Sequence, residues 1–90
     1  AVMVVIEAVF SIPKSWTRAK KAEAMAGKLP PGKPDIDNIL KVVLDGLNGI
    51  AYEDDKQVVL TQCKKVYADT TRHAGLQVHV FQMDNANGYY

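Results

Sequence analysis

Apolar residues alternate through the first ten positions, with Val2, Val4, Ile6, Ala8 and Phe10 on one face and Met3, Val5, Glu7 and Val9 on the other. A period of two in β-branched residues predicts a strand. Because the second face is also mostly apolar, the strand is expected to be central, with something covering both sides. Pro13 lacks the amide that a ladder needs and closes the strand at Ser11-Ile12-Pro13. Ser15 is the expected N-cap of a helix running to about Ala26, built on Ala19, Ala22, Ala24 and Ala26, with Gly27 just beyond it. Pro30, Pro31, Gly32 and Pro34 then form a stiff connector.

Ile36, Ile39, Leu40, Val43, Leu44 and Leu47 recur at intervals of three and four, which predicts an amphipathic helix from Asp37 to about Asn48 with one core face. Asp37 is expected near its N-cap, and Gly46 and Gly49 weaken and then end it. Glu53-Asp54-Asp55 reads as a tight turn into a second strand over residues 57–67. Leu76, Val78 and Val80 alternate with Gln77, His79 and Phe81 in a third strand, and the intervening turn implies an antiparallel hairpin. The order β-α-α-β-β predicts an α/β (α+β) fold, a small mixed β-sheet with two helices packed on it. The chain opens inside a strand, so an N-terminal strand is expected ahead of it. Residues 1–83 form one domain in this reading, and 84–90, without periodicity, a flexible tail.

Ninety residues with 48% apolar and 23% charged side chains describe one small globular domain rather than a disordered chain. A domain of this size is marginal and commonly relies on a metal or a partner subunit. No apolar run approaches the ~20 residues that span a bilayer, which argues against a membrane partner. Cys63 is alone, so the chain contains no internal disulfide and reads as cytoplasmic. The net charge of +1 hides a strong segregation. Residues 11–34 hold six cations, including Lys14 and Lys33, against Glu23 alone. Residues 35–55 hold six acidic side chains against Lys41 alone, and basic residues predominate again from Lys56 onward.

Asp35 and Asp37 flank Ile36, so an extended backbone would place both carboxylates on one side with Ile36 toward the core. One helix and a short return are enough chain to bring Asp55 beside them. Clustered carboxylates repel unless a cation neutralises them. Oxygen-only ligands suit Mg2+, with Mn2+ as a substitute, and Mg2+ leaves positions open for water and a phosphate. Such a site polarises a phosphodiester, and the basic flanks, Lys14 and Lys33 among them, would hold a polyanionic backbone around it. The combination predicts a metal-dependent nuclease. Plainer roles stand beside it: a D-x-D near a helix start caps the helix, and Glu53-Asp54-Asp55 is a solvated turn. Lys41 either forms an i,i+4 ion pair with Asp37 or stabilises charge at a scissile phosphate. Asp45 extends the same helix face. His73 and His79 lack a second ligand at metal spacing and read as structural, Cys63 as a half-buried thiol, and Trp16 and Tyr52 as packing residues rather than base-stacking ones.

The run Lys33-Pro34-Asp35-Ile36-Asp37-Asn38-Ile39-Leu40-Lys41, then Leu44-Asp45-Gly46-Leu47-Asn48-Gly49 and Tyr52-Glu53-Asp54-Asp55-Lys56-Gln57-Val58-Val59, closely resembles the RusA family of Holliday-junction resolvases. Ile12-Pro13-Lys14-Ser15-Trp16 and Ala24-Met25-Ala26-Gly27 are similar to phage and prophage members, and the resemblance covers about residues 2–81. It implies that Asp35, Asp37 and Asp55 are catalytic metal ligands and that Lys41 takes part in catalysis. It also implies a DNA-contact role for Lys64 or Lys65, most simply Lys65. A Mg2+-dependent homodimer that acts on four-way DNA junctions by paired nicks, bacterial or phage-encoded and cytoplasmic, is the expectation, and two symmetry-related sites explain the pairing. Members usually carry an amino-terminal strand before the segment where this chain starts. The alternatives are a non-catalytic DNA-binding or interaction module of the same fold and, more weakly, a hydrolase of small phosphates.

Overall fold

The computed structural model describes residues 1–83, and of Asp55 the backbone alone; the tail at 84–90 lies outside the described residues. The elements are β1 (Val2–Phe10), α1 (Arg18–Met25), α2 (Ile36–Leu47), a 3-10 turn (Asp55–Gln57), β2 (Val58–Tyr67) and β3 (Gly75–Gln82). Their order is β-α-α-β-β in an α+β fold with a mixed three-stranded sheet, as the pattern predicts. No helix among the described residues is long and apolar enough to cross a membrane.

The strand order is β2-β1-β3, with β1 parallel to β2 and antiparallel to β3. The central position expected for β1 is therefore observed, and both rows of its backbone groups are paired. The expected hairpin is not. β2 ends with Tyr67 beside Phe10, and β3 begins with Gly75 beside Val9 on the other flank of β1. Residues 68–74 therefore cross the end of β1 instead of folding back on β2. Alternation marks a strand but carries nothing about which neighbour it takes. Here the most apolar strand, whose buried backbone must be paired on both sides, takes the centre.

The crossing is held by Asp69. One of its carboxylate oxygens accepts from the amides of Thr71 (2.7 Å) and Arg72 (2.9 Å) and from the Thr71 hydroxyl (2.7 Å). Arg72 spans this turn, with guanidinium nitrogens 3.6 Å from Asp69 and 3.6 Å from Glu7 on β1.

Val2, Val4, Ile6 and Ala8 are buried, and Ile39 and Val43 of α2 and Tyr52 pack against them. Leu40, Leu44 and Leu47 complete the helix face that the periodicity predicts. Ile36 departs from it: at 42% exposure it opens α2 rather than entering the core. On the opposite face of β1, Val9 is buried but Met3, Val5 and Glu7 stay half-exposed, so the covering expected there is partial.

Both helix starts lie away from the expected caps. Thr17, not Ser15, caps α1, its hydroxyl accepting from the Lys20 amide at 3.2 Å. Ser15 sits in the preceding turn, closed by the Trp16 amide on the Pro13 carbonyl (3.2 Å). Edge-on packing of Trp16 against Tyr67, with centroids 5.4 Å apart, holds residue 16 outside the helix. α2 begins one residue early, with Asp35 at the N-cap in place of Asp37.

Candidate metal and nucleic-acid site

Asp35 and Asp37 sit at the mouth of α2, and the geometry differs from the extended pair expected from alternation. Asp35 is the extended N-cap (φ −71°, ψ 159°), and its carbonyl accepts the first helical amide, that of Ile39 (3.1 Å). Its carboxylate makes no capping hydrogen bond. Asp37 is already helical, in the first turn. Both side chains are exposed, and among the described residues neither carboxylate has a hydrogen-bond or ion-pair partner. The capping role is therefore not what the Asp35 side chain does. Two unpartnered anions remain at a helix N-terminus, where the backbone dipole favours negative charge.

Lys41 lies one helical turn beyond Asp37 and is likewise exposed and unpaired among the described residues, so the i,i+4 ion pair is not formed. Asp37, Lys41 and Asp45 make an open polar stripe along α2. Lys33 lines a shallow hollow with Pro34, Asp35 and Asn38, which places a cation and a carboxamide next to the Asp35 side chain.

Packing fixes which end of the sheet this is. Pro34, Asn38 and Ile39 line an apolar hollow with Phe10, Gly75 and Leu76, so α2 starts at the carboxyl ends of the parallel strands β1 and β2. Ligand sites in α/β units gather at that edge. The basic segment collects there too. Trp16 docks on Tyr67 at the end of β2, Lys20 lies 4.2 Å over the Trp16 ring, and Lys14 is exposed in the loop between β1 and α1. Lys65 also reaches this end, donating from its ammonium to the Gly32 carbonyl.

The Asp55 turn stands elsewhere. It immediately precedes Val58, whose partner is Val2 at the start of β1. α2 has 12 residues, about 18 Å of helix, and it separates this turn from the Asp35–Asp37 mouth. The backbone thus places the Asp55 turn and the Asp35–Asp37 mouth at opposite ends of the sheet; among the described residues, which do not include the Asp55 side chain, no group of three metal-ligating side chains occurs. The acidic middle of the sequence is two separate acidic ends rather than one pocket.

The turn is built by its neighbours. The Gln57 side-chain oxygen accepts from the amides of Glu53 (2.7 Å) and Asp54 (3.1 Å), and the Asp54 carboxylate accepts from the Lys56 amide (3.0 Å). Asp54 and Gln57 thus spend their polar atoms on backbone, which explains the spacing of the D-D-x-Q run. Gln57 was legible as part of that run, whereas its clamping role was not.

Tyr52 is buried in the core, its hydroxyl donating to the Leu44 carbonyl at 3.3 Å. His79 stacks on Phe81 on an open strand face, and His73 is exposed in the crossing. Cys63 is half-buried; burial pushes its thiol pKa up, and Lys65 acts in the opposite direction.

The sequence model of the family described as Endodeoxyribonuclease RusA matches residues 1–80. The uncharacterized protein YqaN of Bacillus subtilis (strain 168) is 42% identical over 64 residues, which make up 68% of this chain and 45% of that protein. The chain thus spans less than half the length of that relative. No solved structure matches it.

Proposed function

The chain belongs to the RusA family of endodeoxyribonucleases, and on that premise we propose that it is a Mg2+-dependent endonuclease acting on four-way DNA junctions. The observation that carries the reading is the mouth of α2, where Asp35 and Asp37 present carboxylates that no described residue uses. Two exposed oxygen ligands at one helix start suit a hard divalent cation, which takes one or two protein carboxylates and fills its other positions with water and a phosphate. When bound, Mg2+ or Mn2+ supplies Lewis-acid polarisation of the phosphodiester and a more acidic water.

The chain's own residues do the rest. Asp35 and Asp37 hold the cation, and Lys41 meets negative charge that develops on the phosphate. Lys33 and Lys14 bind the DNA backbone at the same end of the sheet. Asp55 opens a turn at the far end of α2, so a site with all three aspartates draws Asp55 from the second protomer of a homodimer.

The test is cleavage of a synthetic four-way junction. The wild type with Mg2+ nicks opposed strands, and Asp35→Asn slows cleavage at least about a hundredfold, the scale of removing one preorganised charge-stabilising group. Equal rates would show that the site is elsewhere. The module reading is separated by thermal melts: binding to the native state raises the midpoint in Mg2+, and an unchanged midpoint favours a domain that keeps these aspartates without metal.

A further inference from the structure

Lys65 and Lys64 are adjacent on β2 but face opposite sides of the sheet. Lys64 pairs with Glu7 and is exposed; Lys65 pairs with Ala8, on the side that carries α2. The Lys65 ammonium donates to the Gly32 carbonyl and lies 5.9 Å from the centroid of the Phe10 ring, so its stem runs over apolar surface. Gly32 belongs to the run Pro30-Pro31-Gly32-Lys33-Pro34 that leads into the Asp35 N-cap. Three prolines remove three backbone donors from this run. Among the described residues, the bond from Lys65 is the one hydrogen bond made by residues 29–34.

We propose that Lys65 is a positioning residue: its ammonium anchors the proline-rich connector to the sheet and thereby sets where Asp35 stands at the mouth of α2. This rests on the reading of Asp35 as a functional carboxylate, and it replaces the phosphate-contact role that the resemblance implies for Lys65. The exposed Gly32 carbonyl takes one of the three ammonium donors and fixes where the Lys65 charge stands, over the connector rather than out in solvent. Lys64, exposed on the other face, is the lysine of the pair that remains free for solvent or phosphate.

The two roles separate in solution on the full chain. Lys65→Met keeps the apolar stem and removes the donor. In 1H–15N spectra of the free protein it shifts the amides of Gly32, Lys33 and Asp35, and Lys65→Arg, which retains donors and charge, leaves them near their wild-type positions. Junction affinity measured without divalent metal keeps its salt dependence in Lys65→Met. Its single-turnover cleavage falls about ten- to a hundredfold, as for a small misplacement of a reacting group, and Lys65→Arg recovers much of the rate. Unmoved amides together with a salt slope lower by about one, the mark of a lost phosphate contact, would overturn the proposal. A further measurement needs no variant: the 15N signal of the wild-type Lys65 ammonium stays in place when junction DNA is added, and a large shift would assign it to phosphate. If the wild type cuts no junction, the nuclease reading fails, while the amide shifts still decide whether Lys65 is the anchor.

Discussion

Asp69 shows how a side chain that looks like an ordinary turn residue acquires a defined role. The Thr71 hydroxyl and then the Thr71 amide hold its carboxyl below the usual range; burial opposes them, and the Arg72 amide and guanidinium add still smaller lowering effects. A depressed folded-state pKa means that ionised Asp69 favours the folded chain above the unfolded value of about 3.9. That contribution is lost as the pH falls through the folded value. Thr71→Val removes the first of these causes, so the Asp69 carboxyl titrates at a higher pH and its share of stability is lost earlier on acidification. A carbon-detected titration of Asp69 checks this, and an unmoved midpoint would show that the hydroxyl is not the cause. Asp35 is the contrasting case. Both are aspartates beside a turn or helix start, but one carboxylate is saturated by local donors and the other has none among the described residues. Residue type did not separate them.

At the scale of elements, α2 was legible because its signal is redundant. Six apolar residues at helical spacing define one face, and burial of Ile39 and Val43 follows from it. Its ends were less legible, since a capping aspartate is chosen by where the connector releases the chain, and Asp35 and Asp37 are equally suited by composition. Gly46 is a local exception to helix propensity inside this element. A Cβ added there meets nothing within 4 Å, and the position has no positive φ. Gly46→Ala therefore stabilises the protein by about 0.5–1 kcal/mol, read as a higher melting midpoint; an unchanged or lower midpoint would mean that residue 46 serves another contact. Gly49, at φ 79° just beyond the Asn48 C-cap, is the position where a side chain is strained and where glycine ends the helix.

For the whole molecule, the decisive fact is the length of α2 set against the placement of its two acidic ends. The mouth with Asp35 and Asp37 lies at the carboxyl ends of β1 and β2, together with the basic loop and Lys65, and the Asp55 turn lies at the start of β2. Within the proposed homodimer this arrangement predicts complementation. Asp35→Asn and Asp55→Asn proteins, each inactive alone, regain nicking at one of two sites when mixed protomers exchange, because one composite site then holds no substitution. A site contained within each chain predicts that every mixture stays inactive. Strand-specific product analysis on a labelled junction distinguishes the outcomes.

The amino-acid pattern by itself determined the elements, their order, the buried face of β1 and the core face of α2, because local periodicity is set by backbone geometry and reads directly into which side chains are apolar. The KPDIDNxxK and D-D-x-Q runs likewise carried the family. Only the tertiary structure decided the neighbours: that β3 crosses β1 instead of pairing with β2, that Arg72 ties the crossing to Glu7, and that Lys65 faces Gly32. It also decided that the acidic segment stands as two ends of one helix. These are long-range choices in which several pairings share the same local pattern, and the difference between them lies in packing and backbone pairing that no short window of sequence contains.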